Sequence, residues 1–98
     1  MYSMDDLLHL LHSDGADGLK LHVGEAPILI LDGREQRVEG PEITEAMAEE
    51  LFQSVSDTRQ RRELRERGSI EFIYRFRGRA CFVVRARKKE DHVDMEIH

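Results

Sequence analysis

The sequence predicts an α+β fold, on three observations. Apolar residues recur at helical spacing in some segments and alternate with polar ones in others. Turn chemistry, such as Asp32-Gly33 and Gly40-Pro41, separates the segments. Ninety-eight residues, 40% of them hydrophobic, suffice for one core without disulfide or metal support. The predicted order is α-β-β-β-α-α-β-β-β, in one domain over residues 1–98 with no internal repeat.

Ser3, with Asp6 in the first turn, caps a helix from about Met4 to Ser13 whose apolar stripe is Leu7, Leu8, Leu10 and Leu11. Asp14 to Gly18 reads as a turn, and Leu19, Leu21 and Val23 alternate with Lys20 and His22 as a half-buried strand. Gly24 to Pro27 turns the chain. The run Ile28-Leu29-Ile30-Leu31 then meets Asp32-Gly33, a two-residue hairpin signal, and Arg34 to Val38 returns. Thr44 caps a second helix carrying Met47, Leu51 and Val55, which ends near Ser56. Asp57 with Gln60 resembles a capping box for a short basic third helix that stops at Gly68.

From Ser69 the pattern alternates, with Ile70, Phe72, Tyr74 and Phe76 on one face and Glu71, Ile73 and Arg75 on the other. The next strand sets Ala80, Phe82, Val84 and Ala86 against Cys81, Val83, Arg85 and Arg87. A two-residue turn would split the apolar residues between both faces. The three-residue loop Arg77-Gly78-Arg79 pairs Phe76 with Ala80 and Phe72 with Val84, making one face wholly apolar, so it is the preferred register. Lys88 to Asp91 reads as a charged turn, and Val93, Met95 and Ile97 as a last, edge-like strand.

The net charge of −5 hides an uneven distribution. Residues 1–57 carry three basic side chains against thirteen acidic ones, so residues 58–98 carry twelve against seven. Such a dipole steers association but says nothing of fold, and the acidic balance argues against nucleic acid. No apolar run approaches the roughly 20 residues that span a bilayer. Met1 to Asp6 is acidic where a secretory leader would be basic, so the cytoplasm is the expected location, without membrane insertion. Cys81, the single cysteine, forms no internal disulfide and no paired-cysteine motif.

The stretch Ala16-Asp17-Gly18-Leu19-Lys20-Leu21, the turn Gly24-Glu25-Ala26-Pro27 and the hairpin Ile30-Leu31-Asp32-Gly33 resemble the opening of the PilT-type ATPases of pilus retraction and secretion. There an Ala-Ser-Asp-Leu-His-Leu strand, a Gly-x-Pro-Pro turn and an Arg-Val-Asp-Gly hairpin follow in that spacing. The second helix, the helix at Thr58-Arg59-Gln60-Arg61 and the strand Gly78-Arg79-Ala80-Cys81-Phe82-Val83-Val84 also resemble that family's N-terminal domain, from Met1 to about Ile97. The resemblance implies a PAS-like fold with three helices and a mixed or antiparallel sheet, placed before a RecA-like motor. No Gly-x-x-x-x-Gly-Lys-Ser/Thr loop occurs to cradle a phosphate, so this chain is expected to be non-catalytic, without cofactor or metal.

The resemblance also implies that two arginines of the family's Ala-Arg-Phe-Arg-Val strand reach nucleotide on the motor. Cys81 and Val83 stand in those places, Gly18 and Lys20 replace an acid and a histidine, and Ile30 replaces the arginine before the hairpin. Ile73, Cys81, Val83 and Ile30 are therefore the candidates for a protein interface, unless a helix of the domain covers them. Arg79, Arg85 and Arg87, with Lys88 and Lys89, are candidates for phosphate contact; a solvated strand end is the competing reading, since Glu90 and Asp91 follow. The third helix is expected to salt-bridge its arginines with Glu63 and Glu66. His9 and His12 lie one helical turn apart but need further ligands to hold a metal.

Three functions remain open on these grounds. The first is a free-standing interaction or regulatory module that self-associates or docks on secretion or pilus machinery. The second is the N-terminal piece of a hexameric ATPase that drives pilus retraction or secretion. The third is a PAS-like sensor of a small ligand.

Overall fold

Ser3 sets the start of α1 (Met4–Ser13), where its hydroxyl accepts from the Asp6 amide at 3.1 Å. Met4, Leu7, Leu8 and Leu11, at spacings of three and four, form the buried stripe of that helix. Thr44 does the same for α2 (Glu45–Val55), accepting from the Met47 amide at 3.1 Å, and Ala48, Leu51, Phe52 and Val55 are buried. A reciprocal capping box between Asp57 and Gln60 opens α3 (Thr58–Arg67), and Gly68 closes it at φ 83°. These are the three helices the sequence predicts. The computed structural model of the chain describes residues 2–78 and 80–98.

The arginines of α3 do not form the expected ladder with Glu63 and Glu66. None of the ion pairs among the described residues involves this helix. Arg61 instead donates to the carbonyl oxygens of Ser56 at 2.6 Å and Gln53 at 3.4 Å. The Ser56 carbonyl, just past α2, takes the guanidinium together with the Gln53 carbonyl, and these bonds tie α3 to α2.

The strands are β1 (Gly18–Leu21), β2 (Ile28–Leu31), β3 (Arg34–Arg37), β4 (Ser69–Phe76), β5 (Ala80–Lys89) and β6 (His92–Ile97). They form one antiparallel sheet in the order β3-β2-β1-β6-β5-β4. Two three-stranded meanders are thus joined by the pairing of β1 with β6. Asp32 and Gly33, at φ 51° and 77°, make the predicted tight turn between β2 and β3. The β4–β5 register is the one that gathers the apolar residues: Phe76 faces Ala80, Tyr74 faces Phe82 and Phe72 faces Val84. Arg77 and Gly78 both take positive φ in that loop, and Arg79 lies outside the described residues.

Three local expectations are corrected. β6 is not an edge strand: it lies between β1 and β5, and Val93, Asp94, Met95 and Ile97 are buried. Its alternation is that of any strand with one packed face, and only the closure of the two meanders places it centrally. Lys88 and Lys89 continue β5, facing Val93 and His92, so the turn shrinks to Glu90 and Asp91. Gly18 belongs to β1 rather than the preceding turn, and β1 ends at Leu21 before Val23.

All three helices send their buried side chains to one face of the sheet. That face supplies Leu19, Leu21, Leu29, Phe82, Val84, Ala86, Val93, Met95 and Ile97 to the same cluster as Leu8, Leu11, Leu51, Phe52 and Leu64. Leu21, Val84, Met95 and Ile97 are wholly shielded from solvent and sit across β1, β5 and β6. Removing a leucine- or isoleucine-sized group from such a site costs roughly 2–5 kcal/mol. No helix among the described residues is long and apolar enough to cross a membrane.

Candidate functional site

The face of the sheet opposite the helices is open, and its register lines up the residues singled out by the sequence. Ile30 lies opposite Gly18, and Val83 lies opposite Ile73. His98 joins the two pairs: it exchanges backbone hydrogen bonds with Val83 at 2.9 Å in each direction, and its ring lies over Gly18. A Cβ on Gly18 would stand 3.2 Å from His98 Nδ1, so the missing side chain is what lets the ring cross there. One row, Ile30–Gly18–His98–Val83–Ile73, therefore runs from β2 to β4. Ile73 is 71% exposed, Cys81 is exposed beside Arg75, and Val83 and Ile30 are half-buried.

The helices of this chain do not cover these side chains. Reasoning from sequence missed Gly18 and His98 as links in the row. In sequence Gly18 reads as turn chemistry, and the pairing of residues so far apart in the chain follows only from the β1–β6 join.

The neighbouring row is charged and alternates in sign, with Lys20 opposite Glu96, Glu96 opposite Arg85 and Arg85 opposite Glu71. Arg85 Nε lies 2.5 Å from Glu71 Oε2, and Lys20 Nζ lies 3.0 Å from Glu35 Oε2. The hydrogen bond and charge of Glu35 hold the Lys20 ammonium above its ordinary value. Beyond this row Arg87 lies opposite Asp94. Asp94 is 9% exposed; it accepts from the Val23 amide at 3.1 Å and lies 3.4 Å from Lys89 and 3.6 Å from His92. The sequence gives no local sign of that role, because the amide it accepts from is 71 positions away.

A solvent-open depression of ≈ 460 Å³ lies over this charged part, lined by His22, Glu71, Arg85, Arg87, Asp94 and Glu96 among others. Of the candidate phosphate contacts, Arg85 and Arg87 share the depression with four carboxylates, Glu63, Glu71, Asp94 and Glu96, and Arg85 is already bonded to Glu71. Lys88 points to the other face, opposite Val93, and Arg79 lies outside the described residues. Arg67 and Lys89 line the depression as well, so four cations meet four carboxylates in an arrangement of compensated charge. His9 and His12 are both exposed on α1, and no group of three potential ligands is placed to hold a metal among the described residues.

No family model matches the chain, and no curated protein sequence matches it. Solved structures do. The fold superposes on the pilus retraction motor PilT, solved with bound ADP, with a TM-score of 0.89 at 21% identity. That match covers 100% of this chain and 29% of the motor. The Legionella pneumophila ATPase DotB matches with a TM-score of 0.76 at 22% identity, over 98% of this chain and 28% of DotB. The chain thus spans under a third of the length of either ATPase. Its fold is the one that the sequence resemblance implied, that of the N-terminal domain of the pilus retraction and secretion ATPases.

Proposed function

We propose that this domain is a non-catalytic, cytoplasmic interaction module, related to the N-terminal domain of pilus retraction and secretion ATPases, that mediates protein–protein assembly through the open face of its sheet. The observation that carries this reading is the apolar row ending at Ile73, with Cys81 and Val83 standing where the resemblance implies nucleotide-directed arginines. Exposed Ile73 and Cys81 beside half-buried Val83, on an otherwise charged face, favour a protein partner, or a second copy, over a phosphate. The core positions Leu19, Leu21, Phe82 and Val84 are buried, and the resemblance implies the same scaffold beneath a changed face.

Light scattering after size exclusion, across concentrations and with candidate secretion or pilus proteins added, tests this reading. The wild-type chain is expected to assemble and Val83→Glu to remain monomeric with the same melting temperature. Equal behaviour of the two, with neither assembly nor partner binding, would overturn it.

A second reading, the N-terminal piece of an ATPase, draws support from the coverage of the matches, since the chain corresponds to 28–29% of two ATPases. The full reading frame decides that question. A small-ligand sensor is less favoured, because the space between helices and sheet is filled by Leu8, Leu11, Phe52, Val84 and Met95.

A further inference from the structure

β4 is the last strand of the sheet, with no strand beside it on one side among the described residues. Val83 uses its backbone N–H and C=O on His98 of β6, so in the antiparallel ladder its pairing with Ile73 is a non-hydrogen-bonded one. By the same alternation Glu71, Ile73 and Arg75 direct their backbone groups away from β5, toward the open edge of the sheet. Their side chains all lie on the open face. Natural edge strands are protected by charges or bulges, because unpaired backbone groups are a template for another strand. Here the two charges are of opposite sign and stand symmetrically about Ile73.

We propose that a second copy of this chain pairs antiparallel along β4, with Ile73 opposite Ile73 and Glu71 of each copy opposite Arg75 of the other. The proposal rests on the reading of the domain as an assembly module and names its partner. Charge complementarity and symmetry carry it. In that register the three facing pairs are the hydrogen-bonded kind, so the outward backbone groups are satisfied reciprocally.

The sign alternation Lys20, Glu96, Arg85, Glu71 stops at the edge on a carboxylate, and Arg75 of the second copy continues it. Among the described residues Arg75 makes no ion pair of its own. The apolar row likewise passes from Ile73 to Ile73, across two sheets. On the helix side Phe72 would face Tyr74, both half-buried in the single copy. A contact along one edge strand is small, so a weak, concentration-dependent dimer is expected.

The test is sedimentation equilibrium of the whole chain between about 10 μM and 1 mM, the range that brackets weak association. It is combined with amide exchange of Ile73 by NMR at both ends of that range. The wild type is expected to dimerise, with exchange at Ile73 slowing in proportion to the dimer fraction. Each of Glu71→Arg and Arg75→Glu places like charges opposite one another twice and should weaken the dimer by about tenfold or more. Arg75→Glu leaves the bond between Glu71 and Arg85 in place, so it separates a pairing effect from a folding one.

The double variant should dimerise like the wild type yet not mix with it, whereas the two single variants should pair with each other. A monomer throughout, or a double variant without recovery, overturns the pairing. Assembly that Val83→Glu abolishes while the Ile73 amide exchanges freely overturns it too, and leaves the module reading standing.

Discussion

Replacing Asp94 by alanine is expected to destabilise the fold by about 2–3 kcal/mol, and replacing it by asparagine by only about 1 kcal/mol. The carboxylate is 9% exposed on β6, and its Oδ1 accepts from the Val23 amide just beyond β1, across the join between the two meanders. Deleting the acceptor leaves a part-buried amide unpaired, at roughly 1–3 kcal/mol. The Lys89 partner is half exposed, so its loss adds about 0–1 kcal/mol. Asparagine keeps an oxygen for Val23 and gives up only the charge. With a urea dependence of about 1–3 kcal/mol/M for a domain of this size, alanine should lower the unfolding midpoint by on the order of 1 M. Circular dichroism in urea reads the midpoint directly. An alanine variant that unfolds with the wild type, or an asparagine variant as unstable as alanine, would refute the hydrogen-bond reasoning.

Three further outcomes follow from the contact between the chain start and the β3–α2 connection. Gly40 has φ 145°, and a methyl there would collide with the Tyr2 phenol, so Gly40→Ala should lose about 2 kcal/mol in urea unfolding. Tyr2 donates its hydroxyl to the Pro41 carbonyl at 2.6 Å, and burial pushes the phenol above its ordinary value of 10.0. The stability from this contact is complete below that ordinary value and is lost as the pH climbs through the raised one. Tyrosinate absorbance of a Tyr74→Phe variant should therefore titrate late, and the Tyr2→Phe variant should show a weaker alkaline loss of melting temperature than the wild type.

Much of this architecture could be read from local chemistry. Ser3, Thr44 and the Asp57–Gln60 pair start the helices as expected, because caps act within one turn of chain. Asp32-Gly33 makes its hairpin for the same reason, and the β4–β5 register follows from keeping one face apolar. What could not be read depends on residues far apart. The central place of β6, the His98 ring over Gly18 and the Asp94 bond to Val23 all arise from the β1–β6 join, and no periodicity encodes it. Arg61 stands two and five residues from Glu63 and Glu66, off helical spacing, while the Ser56 carbonyl just past α2 lies within its reach.

The open face could be read from sequence in composition but not in layout. Alternation and the resemblance single out Ile73, Cys81, Val83 and Ile30, yet the alignment of Ile30, Val83 and Ile73 into one row requires the register of five strands, β2 to β4 across the sheet. The same register shows how the charges of Arg85 and Arg87 are compensated. Each stands opposite a carboxylate, Glu71 for the first and Asp94 for the second.

The rate at which Cys81 is alkylated by iodoacetamide probes the open face with no substitution needed, since this is the chain's single cysteine. An uncovered face predicts that the dilute native chain reacts within about threefold of the urea-unfolded chain, and that assembly on that face slows the reaction. A thiol that reacts only after unfolding would contradict the account.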